Sequence, residues 1–181
     1  MDWDTSIFFF INGMAQESAV LDWVMFEVSQ EGNLLFPVVL LVGYWMWMNW
    51  RQALVGIPLL ALSIGMSDFL GGQLKNLIAR QRPCQVYLHI QELVGCGGSF
   101  SLPSNHAINS ATAAAFLWML YPSTRWVTWP LVGMIGVSRV YLGAHYPTDV
   151  LVGWGLGILL GIVMGAVVLK IPWYHAKPSL S

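Results

Sequence analysis

Val150-Leu-Val-Gly-Trp-Gly-Leu-Gly-Ile-Leu-Leu-Gly-Ile-Val-Met-Gly-Ala-Val-Val-Leu169 carries no charge from end to end. At about 1.5 Å per residue a helix of that length spans about 30 Å, the hydrocarbon thickness of a bilayer. Uncharged runs recur upstream at Gly32–Trp50, Gln52–Ser67, Ala107–Thr124 and Trp126–Ser138. The run from Gln52 continues past a lone Asp68 to Leu74, and a Tyr121-Pro122-Ser123-Thr124 turn separates the last two. None alternates as the strands of a closed barrel would. The sequence therefore predicts an all-α integral membrane bundle with five spanning helices at 34–50, 53–80, 104–121, 125–141 and 147–169.

The rest of the chain agrees. Of its 181 residues 56% are hydrophobic and 9% charged, with 8 basic and 9 acidic side chains and a net charge of −1. A soluble domain carries about 25% charged residues. Mean hydropathy is +0.62. The length suits one domain, the charge balance argues against a nucleic-acid partner, and the apolar content excludes disorder.

Residues 1–31 differ: Asp2, Asp4, Glu17, Asp22, Glu27 and Glu31 interrupt two apolar patches, Ile7–Ile11 and Val20–Phe26. An interfacial amphipathic helix or helix pair fits them; a short or tilted sixth span is the alternative. No basic leader or cleavage site precedes the first patch, so no signal peptide is expected. The expected organisation is an amphipathic segment at 1–31, a transmembrane bundle at 32–171 and a tail at 172–181. Five spans place Arg51, Arg125, Lys170 and Lys177 on one side, and Lys75, Arg80, Arg82 and Arg139 on the other. The raw count is even. Setting aside Lys75, Arg82 and Arg139, which belong to the motifs below, leaves an excess that makes the tail side cytoplasmic.

Three segments at the other face concentrate polar residues. In Lys75-Asn-Leu-Ile-Ala-Arg-Gln-Arg82-Pro83, continued helix would put Lys75 and Arg82 about 20° apart on one face, two cations suited to an anion with several oxygens. Pro83 stops the helix. In Pro103-Ser104-Asn105-His106, Ser104 is a candidate N-cap, and the free N–H groups of a helix start favour phosphate. In Ser138-Arg139-Val-Tyr-Leu-Gly-Ala-His145-Tyr-Pro-Thr-Asp149, Pro147 opens the last span. Asp149 then sits in its first turn and reaches back to orient His145. Taken singly, these are also ordinary snorkelling cations, a helix cap and a His–Asp pair at a helix start. Together they bring cations, two histidines, a serine and a carboxylate to one membrane face, where ionisable groups are expensive. That set suits phosphoryl transfer: cations and N–H groups hold the oxygens, one histidine attacks and the other protonates the leaving oxygen.

Lys75-x6-Arg82-Pro83, Pro103-Ser104-Asn105-His106 and Ser138-Arg139-x5-His145-x3-Asp149 resemble, in order and spacing, the three-part signature of the type 2 phosphatidic acid phosphatase family, over about residues 53–169. One position departs: Asn105 stands where the family pattern most often has Gly. The apolar composition separates the chain from the family's soluble vanadium haloperoxidases. The resemblance implies that His145 is the nucleophile forming a phosphohistidine, Asp149 its orienting carboxylate, and His106 the general acid and then base. It implies that Lys75, Arg82, Ser104, Asn105 and Arg139 bind phosphate, with no metal and no cofactor.

The expected function is a lipid phosphatase of the bacterial inner membrane, its site facing the periplasm or cell exterior. Undecaprenyl diphosphate heads the substrates, followed by lipid A 1-phosphate, phosphatidylglycerol phosphate and phosphatidic acid. A lipid-to-lipid phosphotransferase and a non-enzymatic channel or scaffold are the alternatives; oligomeric state is left open. Asp68 is read mainly as structural, Arg80 as a headgroup contact, and His89 and Glu92 as parts of a loop at 84–102 covering the site. Cys84 and Cys96 are either disulfide-bonded or free thiols. His175 is assigned no role, and Gly153, Gly155, Gly157, Gly161 and Gly165 are read as close helix packing.

Overall fold

A computed structural model describes residues 2–175; Lys177 and the rest of the tail expected at 172–181 beyond residue 175 lie outside the described residues. Every regular element among the described residues is helical. Two short helices come first, α1 (Trp3–Asn12) and α2 (Ala19–Ser29). Asp2 caps α1 by accepting the Thr5 N–H, and Ser18 caps α2 by accepting that of Leu21.

The long α3 (Glu31–Ile78) is broken at Asn49, whose φ of −145° and ψ of 61° are not helical. The Trp45 ring occupies the place that a Cβ on Gly56 would take. In a straight helix those residues would be about 16 Å apart, so the two arms fold back on each other. Tyr121 braces this bend, its hydroxyl accepting from the Trp45 indole at 2.7 Å and donating to Gln52 at 2.6 Å. After the short α4 (Pro83–Val86) come α5 (Asn105–Leu120), α6 (Arg125–Tyr141), α7 (Pro147–Leu169) and a last turn, α8 (Pro172–His175). Helices thus occupy all five expected spans. By length and apolar character alone, two stretches can cross a membrane: Val38–Val86, which runs from α3 through α4, and Pro147–Leu169.

Large apolar side chains cover much of the surface, and the interior holds polar groups among its apolar ones. Leu77, Trp47, Leu159, Phe69 and Val127 are exposed, whereas Ser63, Ser67, Thr112 and Asp149 are wholly buried. Ser67 and Thr112 share a 2.7 Å hydrogen bond between α3 and α5. In hydrocarbon this arrangement pairs such polar groups inside the bundle and gives apolar side chains to the lipid. The most extensive helix contact is α5 against α7. It is close because Gly153, Gly157, Gly161 and Gly165 all face α5; Gly155, expected to share that role, faces open space. Helical neighbours on one face are three or four positions apart, and Gly155, two positions from both Gly153 and Gly157, looks away from α5.

Candidate active site

All three polar segments reach the same end of the bundle, by different routes. α3 stops at Ile78 because Ala79 turns into the left-handed region, at φ 53°, and its N–H closes on the Lys75 carbonyl. Lys75 therefore points into the bundle from the last helical turn, and Arg82 returns to it on a loop. The expected helical stacking of these two cations does not exist; the chain leaves the helix before it reaches Arg82. Lys75 is held by the carbonyls of Phe100 (2.9 Å) and Ser101 (3.4 Å). Arg82 donates through Nε to the Ser99 carbonyl (2.8 Å) and through its terminal nitrogens to Ser99 Oγ (2.9 Å) and the Ala144 carbonyl (3.3 Å).

Ser104 is the N-cap residue of α5 and is fully buried, yet its hydroxyl makes no cap bond and has no partner among the described residues. An unsatisfied buried hydroxyl at a helix start is a site held ready for an acceptor such as a phosphate oxygen. Its N–H donates to the Asp149 carbonyl at 3.0 Å, which ties the start of α5 to the start of α7. His106, in the first turn, bonds the main chain of Ser29. Arg139, in the last turn of α6, bonds Ser29 Oγ. The end of α2 thus closes over both.

α6 is followed by Gly143 at φ 79°, where a Cβ would stand 3.0 Å from the Gln91 carbonyl. This turn brings His145 inward. Its Nδ1 lies 3.5 Å from Asp149 Oδ2 and 3.4 Å from Ser101 Oγ, and the Ser101 hydroxyl bonds the same carboxylate oxygen. The carboxylate's hold on the ring therefore runs partly through Ser101. Asp149 Oδ2 also accepts the Tyr146 N–H at 2.8 Å. Burial, and then the charges of Arg82 and Lys75, push the His145 imidazole well below its ordinary range despite the Asp149 carboxylate beside it. These surroundings favour the neutral imidazole.

Lys75, Arg82, His106, Arg139 and His145 line one cavity of about 340 Å³, together with Asp68, Gly72, Ser99 and Asn105. Asp68 pairs inside the bundle, accepting the Asn105 amide at 2.8 Å and that of Asn109 at 3.4 Å, and it also forms part of the cavity wall. A glycine at position 105 would lack that contact. Arg80 is the clearest correction. Expected at the lipid headgroups, it bridges two carboxylates, Asp149 Oδ1 and Asp4 Oδ2, both at 2.7 Å, and stacks over Tyr146. Arg80 lies beyond the end of α3 at Ile78, so the loop and not the helix face directs it inward. Asp4 also accepts the Thr148 N–H (2.8 Å) and hydroxyl (2.6 Å).

Ser101, Ser99, Asp4 and Ser29 went unpredicted. Nothing in the sequence links Asp4 to Asp149; they meet because α1 buries Phe8 against Ala107, Val140, Tyr146 and Val150 at this end of the bundle. Cys84 and Cys96 form a disulfide across the loop that carries Ser99 and Ser101 toward the site. His89 and Glu92 do not line the cavity.

Residues 57–173 match the PAP2 superfamily. Phosphatidylglycerophosphatase B of Bacillus subtilis (strain 168) is 33% identical over 170 residues, 87% of this chain and 80% of that protein. Undecaprenyl-diphosphatase BcrC of the same organism is 27% identical over 164 residues, with 87% and 80% covered. The crystal structure of the first transmembrane PAP2 type phosphatidylglycerolphosphate phosphatase from Bacillus subtilis superposes with a TM-score of 0.71 at 28% identity, over 94% of this chain and 89% of that one.

Proposed function

The chain belongs to the PAP2 superfamily and is a membrane lipid phosphatase; from that premise we propose that it cleaves the phosphate or diphosphate headgroup of an envelope lipid through a phosphohistidine. One observation carries the reading: three sequence-distant segments deliver three cations and two imidazoles to a single cavity. Asp149 and Ser101 hold the His145 proton on Nδ1, so the Nε2 lone pair faces the cavity and attacks phosphorus. The bond from phosphorus to the leaving oxygen breaks as His106 gives that oxygen a proton. His106 then takes a proton from water, which attacks the phosphohistidine and releases inorganic phosphate. Lys75, Arg82, Arg139, the Ser104 hydroxyl and the N–H groups opening α5 balance charge on the phosphoryl oxygens.

The bundle reads as five spans with α1 and α2 lying at the interface, and residues 32–171 as the catalytic unit. The site faces the periplasm or cell exterior. The disulfide at the site end supports this, since disulfides persist in oxidising compartments. So does the placement of Arg51, Arg125 and Lys170 at the opposite end. A non-enzymatic channel or scaffold is set aside by membership in a phosphatase family.

The test is phosphate release by the purified protein from undecaprenyl diphosphate, phosphatidylglycerol phosphate, phosphatidic acid and lipid A 1-phosphate in mixed micelles. His145→Ala and His106→Ala should lower kcat by at least ~10³-fold, as removal of nucleophile or acid does. A denaturing alkaline quench of wild type should trap protein-bound phosphate that is stable to base and released by acid, and His145→Ala should hold none. Hydrolysis that persists in His145→Ala refutes the mechanism.

A further inference from the structure

Asp68 is a carboxylate on the wall of a cavity otherwise lined by cations, imidazoles and neutral groups. It precedes Lys75 by two turns of the same helix, about 10 Å further from the site end and on the membrane side. Both amides it accepts, from Asn105 and Asn109, bond Oδ1; among the described residues no group bonds Oδ2. The two asparagines turn their donors to Asp68 even though this leaves their own Oδ1 atoms buried without a partner. Such a cost is tolerated where a polar group must be held in one orientation. Asn105 is also the residue next to His106, so the carboxylate is anchored beside the group assigned to the leaving oxygen.

We infer that Asp68 determines substrate class. Building on the roles proposed above, the phosphate sits among Lys75, Arg82 and Arg139, and the alcohol it leaves extends toward Asp68. There Oδ2 accepts a hydrogen bond from a hydroxyl or N–H donor carried by that alcohol close to the ester oxygen, as on glycerol or a sugar. A prenyl diphosphate places a second phosphate at this point, and carboxylate and phosphate repel. The favoured substrates are phosphomonoesters of a polyol or sugar headgroup, ahead of the undecaprenyl diphosphate that heads the substrates expected from the family resemblance. Phosphatidic acid, whose glycerol hydroxyls are acylated, lacks the donor.

The experiment compares kcat/KM of wild type and Asp68→Asn on phosphatidylglycerol phosphate, lipid A 1-phosphate, phosphatidic acid and undecaprenyl diphosphate in mixed micelles. Wild type should prefer one or both donor-bearing lipids over phosphatidic acid by about tenfold to a hundredfold, the range of one charge-assisted hydrogen bond. Their order identifies glycerol or sugar as the source of the donor. In Asp68→Asn this ratio should collapse toward unity, while the ratio of undecaprenyl diphosphate to phosphatidic acid rises. Wild type should also lose about tenfold to a hundredfold on a phosphatidylglycerol phosphate analogue lacking the glycerol 2-hydroxyl, an arm that needs no variant to fold. A wild-type preference for the diphosphate, or ratios unchanged in Asp68→Asn, overturns the inference and leaves the phosphatase reading standing. No phosphate release from any lipid defeats that reading itself.

Discussion

Gly157 and Gly155 lie two residues apart on α7, and one substitution should act on them with opposite signs. A Cβ on Gly157 would stand 2.3 Å from the Ile108 carbonyl oxygen, 2.9 Å from Ala111 Cβ and 3.0 Å from the Thr112 nitrogen. Ordinary contact begins at 3.4 Å, and the atoms met are mostly backbone, so α5 and α7 must part by about 1 Å. Overpacking of this kind costs about 1–3 kcal/mol. For a chain of this size that is a Tm lower by about 2–12 °C. The separation also reaches the chemistry, because α5 opens with Asn105 and His106 and α7 opens just before Asp149. A shift near 1 Å between positioned groups can cost ~10²-fold in rate. A Cβ on Gly155 meets nothing within 4 Å, and alanine there should gain about 0.5–1 kcal/mol from reduced backbone freedom. The assay is thermal unfolding in a fixed detergent, with phosphate release from the preferred lipid measured on the same samples. The reasoning fails if the two variants move Tm in the same direction, or if Gly157→Ala keeps wild-type Tm and rate.

Other outcomes follow from the site. Arg80→Gln strips a partner from the fully buried Asp149; because Arg80 itself is partly exposed, the stability loss should be about 1–3 kcal/mol, below that of a fully buried pair. Its kcat should fall more than its KM rises, and Arg80→Lys should restore little, since one ammonium does not span two carboxylates; an unchanged kcat would remove Arg80 from the positioning of Asp149. His145 is neutral in the fold and titrates far lower there than in the unfolded chain, where its pKa is about 6.5. The unfolded chain therefore binds a proton the native state refuses, and stability from this residue is whole above pH ~6.5 and lost as pH falls below it. Tm measured against pH should show a shallower acid slope in His145→Gln than in wild type; identical slopes would exclude the buried imidazole as the cause. Replacing both Cys84 and Cys96 by serine frees a loop closed over 12 positions and should cost about 2–3 kcal/mol, with activity lost at lower temperature than Tm predicts if Ser99 and Ser101 loosen first, as paired melting and activity curves would reveal.

Much of this molecule is written locally. Uncharged runs of span length can be satisfied only as helices in lipid, so the five helical segments and their ends were readable to within a few residues. The spacing from His145 through Pro147 to Asp149 likewise defines a helix start with a carboxylate in its first turn, whatever else the chain does. Charged residues are so few that those retained stand out as chemistry. Tertiary structure decided what each retained charge meets. Arg80 and Arg82 are two residues apart, yet one braces Asp149 from behind and the other lines the cavity, because α3 ends at Ile78 and helical phase is lost beyond it. Asp4 joins Asp149 through Arg80 from the opposite end of the sequence, and Ser101 comes between His145 and Asp149 from a loop without periodicity. Helical phase already sets Gly155 apart from Gly157 in the sequence, but only the placement of α5 shows which of the two faces is packed. Residue patterns specify the elements because lipid and backbone hydrogen bonding act over a few residues. Partners of buried polar groups are chosen by packing between distant elements, which no local pattern encodes.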